Sequence, residues 1–150
     1  MICNSIDQDT SLKIVKLKNE EVTKESYQYG IQLFGLFKKS ELQEIVLWVG
    51  TACQYLKFKY YLKNGKVIFY FERQDDIFSL ADLSNPPRGP GPNTFERHCY
   101  LKNEQLIYME DIGKKTYFDS GFNLIKTLND VKFYKLLLNK RYKEGLLTLH

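Results

Sequence analysis

Tyr60–Tyr70 reads YYLKNGKVIFY, and thirty-nine residues later Cys99–Met109 reads CYLKNEQLIYM in much the same order. Asn64-Gly65 stands between two runs rich in aromatic and β-branched residues. A type I′ turn needs positive φ at both central positions, and Asn and Gly tolerate it, so the stretch predicts a β-hairpin. Strict pairing from that turn sets Lys63 opposite Lys66, Leu62 opposite Val67, Tyr61 opposite Ile68, Tyr60 opposite Phe69, Lys59 opposite Tyr70 and Phe58 opposite Phe71. Because side chains alternate across a sheet, Phe58, Tyr60, Leu62, Val67, Phe69 and Phe71 then form one apolar face, the expected core. Lys59, Tyr61, Lys63, Lys66, Ile68 and Tyr70 form the other.

The second copy folds about Asn103-Glu104 and puts Tyr100 and Ile107 where the first has Tyr61 and Ile68. Glu104 resists positive φ, so this turn is expected to be looser or one residue longer. Two copies are too few for a solenoid; they read as two hairpins of one sheet. Residues 84–93, SNPPRGPGPN, lie between them and hold all four prolines of the chain, with Arg88 near the middle. Proline lacks an amide donor, which predicts an exposed loop, either a crossover or a partner-contacting segment.

Toward the N-terminus, Ser11–Leu17 reads as a short strand. Tyr27, Tyr29, Ile31 and Leu33 alternate with polar residues and Gly30, the pattern of a half-buried strand. Leu42–Val49, LQEIVLWV, is apolar enough for the middle of a sheet. Residues 1–10 are expected to be a flexible end. In the last part, residues 119–144, Asp119 or Ser120 is placed to cap a short helix and Asp130 a second one through Val131, Tyr134, Leu138 and Tyr142. The expectation is α+β: a largely antiparallel meander of six or seven strands with C-terminal helices packed on it, in one domain spanning residues 1–150.

Composition fits that reading. A chain of 150 residues, 43% of them hydrophobic, buries about two thirds of its unfolded surface. The net charge of +4 comes from 22 basic and 18 acidic residues scattered through every segment, which argues against a nucleic-acid-binding surface. No apolar run is long enough to span a bilayer. Cys3, Cys53 and Cys99 have no metal or redox spacing. Cys3 followed by a polar stretch is also how a mature lipoprotein begins. With an upstream signal removed, Cys3 would carry a lipid anchor and the protein would belong to the periplasm or cell envelope; without one it is expected in the cytoplasm.

Nucleotide-binding and nucleophile motifs are missing. His98 and Cys99 adjoin, yet neighbours in a strand point to opposite faces and could not act together. Glu72, Asp75 and Asp76 follow the first hairpin, and Glu110 and Asp111 the second, in the manner of solvated strand ends. No catalytic residue, metal ligand or cofactor is implied.

The hairpin phrases Tyr60–Phe69 and Cys99–Asn103 resemble a loosely defined group of small bacterial domains, cell-envelope lipoproteins or immunity partners of toxins, that carry successive Tyr-Tyr-x-x-Asn-Gly hairpins. The resemblance implies binding rather than catalysis. The expected function is a noncatalytic module of immunity or inhibitor type that neutralises a protein partner, a toxin or effector, through Lys59, Tyr61, Tyr70, His98 and Tyr100, with Arg88 on the loop. That face is open for binding only if the C-terminal helices do not cover it. The alternatives are a structural envelope lipoprotein and a small hydrolase or ligand-binding protein with a pocket between sheet and helices.

Overall fold

The computed structural model describes residues 2–23, 30–50, 54–76, 94–113 and 121–148. Among them, strands β1 (Lys13–Lys18), β2 (Ile31–Lys38), β3 (Glu41–Gly50), β4 (Gln54–Lys63), β5 (Lys66–Asp76), β6 (Thr94–Lys102) and β7 (Gln105–Gly113) form one sheet in chain order. Every neighbouring pair is antiparallel. Helices α1 (Ile2–Gln8), α2 (Asn19–Val22) and α3 (Leu124–Thr148) complete an α+β architecture. No helix among the described residues is long and apolar enough to cross a membrane. Tyr27, Tyr29 and the proline-rich loop with Arg88 lie outside the described residues.

Three hairpins turn in the same way. Asn64 and Gly65 sit at φ 52° and 76°, Asn103 and Glu104 at 52° and 61°, and Lys39 and Ser40 at 48° and 69°. Glu104 thus accepts the left-handed basin in a turn as tight as the first, contrary to expectation, with Lys102 paired to Gln105. Lys39-Ser40 makes a third equivalent turn that its residue types did not announce.

Two pairs beyond each turn the ladder slips by one residue. Leu62 pairs with Val67, but Tyr61 pairs with Phe69, and the same step follows Leu101–Leu106 and Phe37–Leu42. The extra residues, Gln43, Ile68 and Ile107, are bulges, which strengthen the right-handed twist that a tight hairpin already favours. The slip reverses every later side chain on that strand. Tyr60 therefore faces Tyr70, Lys59 faces Phe71 and Phe58 faces Glu72. Tyr70 joins the core face, and Phe69 and Phe71 leave it, which corrects the strict pairing drawn from the turn.

The core lies between one sheet face and α3. Leu33, Phe37, Ile45, Leu62 and Val67 meet Val131 and Leu138 there, all buried. The expected helical pair is one continuous helix: Asn123 caps it, accepting the Lys126 amide on Oδ1 at 3.0 Å. Asp130 does not begin a second helix; its Oδ2 accepts from Lys126 Nζ at 2.7 Å, one turn back along the surface. Tyr142 stacks on Phe37 with ring centroids 4.4 Å apart, and an Arg141–Glu21 ion pair fastens α3 to α2.

The N-terminal stretch, expected to be a flexible end, is instead α1. Cys3 and Ile6 are buried against Tyr61, whose hydroxyl donates to Asp7 at 3.0 Å. The second sheet face is therefore covered over Tyr61 from the N-terminus, while α3 packs on the opposite face.

Candidate functional site

The register fixes three rows of side chains across the face away from α3. The first runs Tyr61, Phe69, Tyr100, Tyr108, with successive ring centroids 5.6, 4.8 and 5.8 Å apart. Such contacts strengthen a sheet beyond the area they bury. The second runs Lys59, Phe71, His98, Glu110, and the third Lys57, Arg73, Glu96, Ile112. Lys57 reaches over the Trp48 ring at 4.7 Å. Arg73 pairs with Asp75 at 3.0 Å and with Glu96 at 3.5 Å, and His98 Nε2 lies 3.2 Å from Glu96 Oε2.

Lys59, Tyr61, His98 and Tyr100 thus share one face, as the alternation indicated. Tyr70 lies on the other, buried beside Phe122 and donating to Glu72 Oε2 at 3.1 Å. Tyr61 is 3% exposed beneath α1, so its ring supports the surface without forming it. At the inner end of the first row, beside Tyr61, Glu44 is buried with Lys59 Nζ 3.7 Å away. Burial raises its carboxyl pKa, and Lys59 opposes that shift. Lys57 is lowered, first by burial and then by the neighbouring Lys59 charge.

The face continues onto β7, which is exposed along its whole length. Ile107 is 64% and Tyr108 56% exposed, with Leu106, Met109 and Ile112 also open to water. The apolar run LIYM marks this strand in the sequence, although nothing there shows which strand is outermost. At the other edge β1 reads KIVKLK, half lysine, the usual protection of an edge against pairing. β7 has no charged residue before Glu110.

A cavity of about 420 Å³ opens on the opposite side, between the sheet and the first turns of α3. Ile31, Leu47, Val49 and Leu56 form its apolar wall, and Tyr60, Glu72, Thr127 and Asp130 its polar one. Gln74 Nε2 donates to Glu72 Oε1 at 2.7 Å, and Arg97 lies 3.9 Å from Glu72 while holding Asp111 at 2.8 and 2.9 Å. His98, on the far side of the sheet, does not reach these carboxylates.

Burial pushes the Cys99 thiol up to about 12 and the Cys3 thiol to about 11. Both are therefore protonated and poorly nucleophilic near neutral pH. Among the described residues no group of three or more His, Cys, Asp or Glu is placed to hold a metal ion. Comparison of the chain with protein-family models, curated proteins and solved structures found no match.

Proposed function

We propose that this protein is a noncatalytic binding module of inhibitor or immunity type, which captures a protein partner by taking one of its extended segments as a further strand beside β7. The observation that carries the reading is the contrast between the two edges among the described residues: β1 is guarded by lysine, while β7, the outermost described strand, exposes Leu106 to Met109. An unpaired edge supplies main-chain hydrogen bonds, and alternate side chains supply selectivity. Tyr100 and Tyr108 carry the surface onto the adjoining face, with His98 and Lys59 in the next row. Tyrosine and histidine give such a contact large area with polar tips. Burial of Cys3 and Cys99 removes these two thiols as candidate nucleophiles.

The test is retention of a partner from a lysate of the source organism by the parent and by Ile107→Lys/Met109→Lys, two exposed positions whose change leaves the core untouched. The partner, once purified, is mixed with the parent and the β7 amides are followed by hydrogen exchange. The reading requires a protein lost by the variant and slowed exchange confined to β7 and its neighbours. Retention by both forms, or protection on α3 instead, rejects it. Sedimentation of the chain alone distinguishes a second copy paired β7 to β7 from a foreign partner.

A further inference from the structure

The outward face of α3 alternates apolar and cationic side chains. Ile125, Lys132, Leu136, Lys143 and Leu147 follow one another at steps of seven and four residues, which sets them in one stripe along a helix of 3.6 residues per turn. All five are exposed, Ile125, Leu136 and Leu147 at 75%, 72% and 77%. Phe133, 47% exposed, and Lys140 stand beside the stripe. The opposite side of the helix is the one that Val131 and Leu138 bury in the core. A surface helix ordinarily turns polar residues to the solvent, so a row of exposed large apolar side chains marks a contact face.

Charge concentrates on the same element. The helix holds six basic residues, Lys126, Lys132, Lys135, Lys140, Arg141 and Lys143, and two acidic ones, Asp130 and Glu144. With 22 basic and 18 acidic residues in the chain, sixteen of each sign fall elsewhere, so the whole excess of +4 lies on α3. Asp130 is taken by Lys126, and Glu144 by Lys140 and Arg141. Lys132 and Lys143, inside the stripe, make no ion pair among the described residues. A nucleic-acid backbone would match these cations and leave the leucines in water. An anionic lipid surface takes both: apolar ends enter the acyl boundary, while lysine stems lie along it and carry their ammonium groups to the headgroups.

We propose that the outward face of α3 docks reversibly on an anionic phospholipid bilayer, the helix lying in the plane of the interface with Ile125, Leu136 and Leu147 inserted and Lys132, Lys140 and Lys143 at the headgroups. The surface belongs to a different element from the β7 edge and stands or falls independently of it.

Vesicle sedimentation of the full chain tests the proposal, on phosphatidylcholine alone and on phosphatidylcholine with about one third phosphatidylserine. The anionic vesicles are expected to bind at least about tenfold more tightly, and about 1 M salt, which shortens the screening length to ~3 Å, should release most of the protein. A lysine near an anionic surface contributes about fivefold to binding, so Lys132→Gln/Lys140→Gln/Lys143→Gln should weaken it about a hundredfold. Leu136→Gln/Leu147→Gln keeps every charge, removes apolar insertion by a second route, and should weaken binding about tenfold. Both variants change exposed positions only, and circular dichroism and melting temperature check their folds. Polyglutamate at a charge concentration equal to that of the lipid should displace little of the chain. Equal binding to neutral vesicles, absence of binding at millimolar anionic lipid, or full affinity in either folded variant overturns the proposal; so does displacement by polyglutamate, which would assign the face to an acidic protein instead.

Discussion

Leu138 closes over Gly35: a β-carbon placed on that glycine would stand 3.0 Å from both Cδ1 and Cδ2 of Leu138 and 3.1 Å from Cδ1 of Leu42. The helix approaches β2 this closely because the strand has no side chain there. Gly35→Ala is expected to lower stability by about 1–3 kcal/mol through overpacking, and Leu138→Ala by about 2–5 kcal/mol through the cavity it leaves. The pair should cost less than the sum, since each change relieves the other. Urea unfolding of the three variants measures this; additive losses would mean that the two residues do not compete for the same space.

Glu104 holds φ 61° in a turn that suits glycine. The left-handed basin costs an L-residue about 1–2 kcal/mol, and glycine's greater unfolded freedom returns about 0.5–1 kcal/mol of that. Glu104→Gly should therefore gain roughly 0.5–1 kcal/mol, while Gly65→Ala should lose a comparable amount. Thermal melts decide the sign.

The buried thiols predict alkaline lability. Cys3 and Cys99 have folded values of about 11 and 12, against about 8.5 for an unfolded cysteine. A raised value means that the folded state holds its proton more tightly. The resulting stability is complete below pH ~8.5 and is lost as pH rises through the folded values. Burial likewise holds the Tyr60 and Tyr70 hydroxyls up, which adds to the loss above pH ~10. The melting temperature should fall steadily on that alkaline side. With Cys53→Ser, a disulfide thiol reagent at pH 8 should label neither remaining cysteine until denaturant is added; rapid labelling of two thiols would contradict the burial.

Glu44 gives the opposite side of the pH scale. Burial raises its carboxyl despite Lys59, so its contribution is full below the unfolded value near pH 4.3 and is lost as pH rises through the folded one. Glu44→Gln, which carries no charge to bury, should match the parent in acid and exceed it at pH 7, since burial outweighs the Lys59 attraction. A variant less stable than the parent at pH 7 would mean that the Lys59 pairing outweighs burial.

The Asn64-Gly65 turn, the antiparallel meander and the shared face of Lys59, Tyr61, His98 and Tyr100 were legible in the sequence, because turn chemistry and alternation speak directly to them. The slip at Ile68 was not. In Val67-Ile68-Phe69-Tyr70-Phe71 every residue is apolar or aromatic, so either register buries hydrophobic surface and only the tertiary fit with Phe122 and Tyr60 decides. Lys39-Ser40 lacks the Asn or Gly that tolerates positive φ at both positions and is held by the strands it joins. Asn129 and Asp130 resemble a helix boundary in one dimension but are carried through by Val131 and Leu138, whose burial outweighs local preference. The cavity beneath Tyr60 depends on where α3 lies, which no local pattern encodes.

A sheet laid down in chain order has a consequence for how the protein is made. Each strand finds its partner in the segment just synthesised, and each hairpin can zip from its own turn with little loop entropy to overcome. The cover arrives after the sheet: Val131 and Leu138 belong to α3, which follows all seven strands in the chain. Until α3 leaves the ribosome, Leu33, Ile45 and Leu62 face water on a nearly finished sheet, and this nascent intermediate is the form most exposed to chaperones and to aggregation. Pulse labelling during refolding would register the same order as early protection of the hairpin amides and late protection of α3.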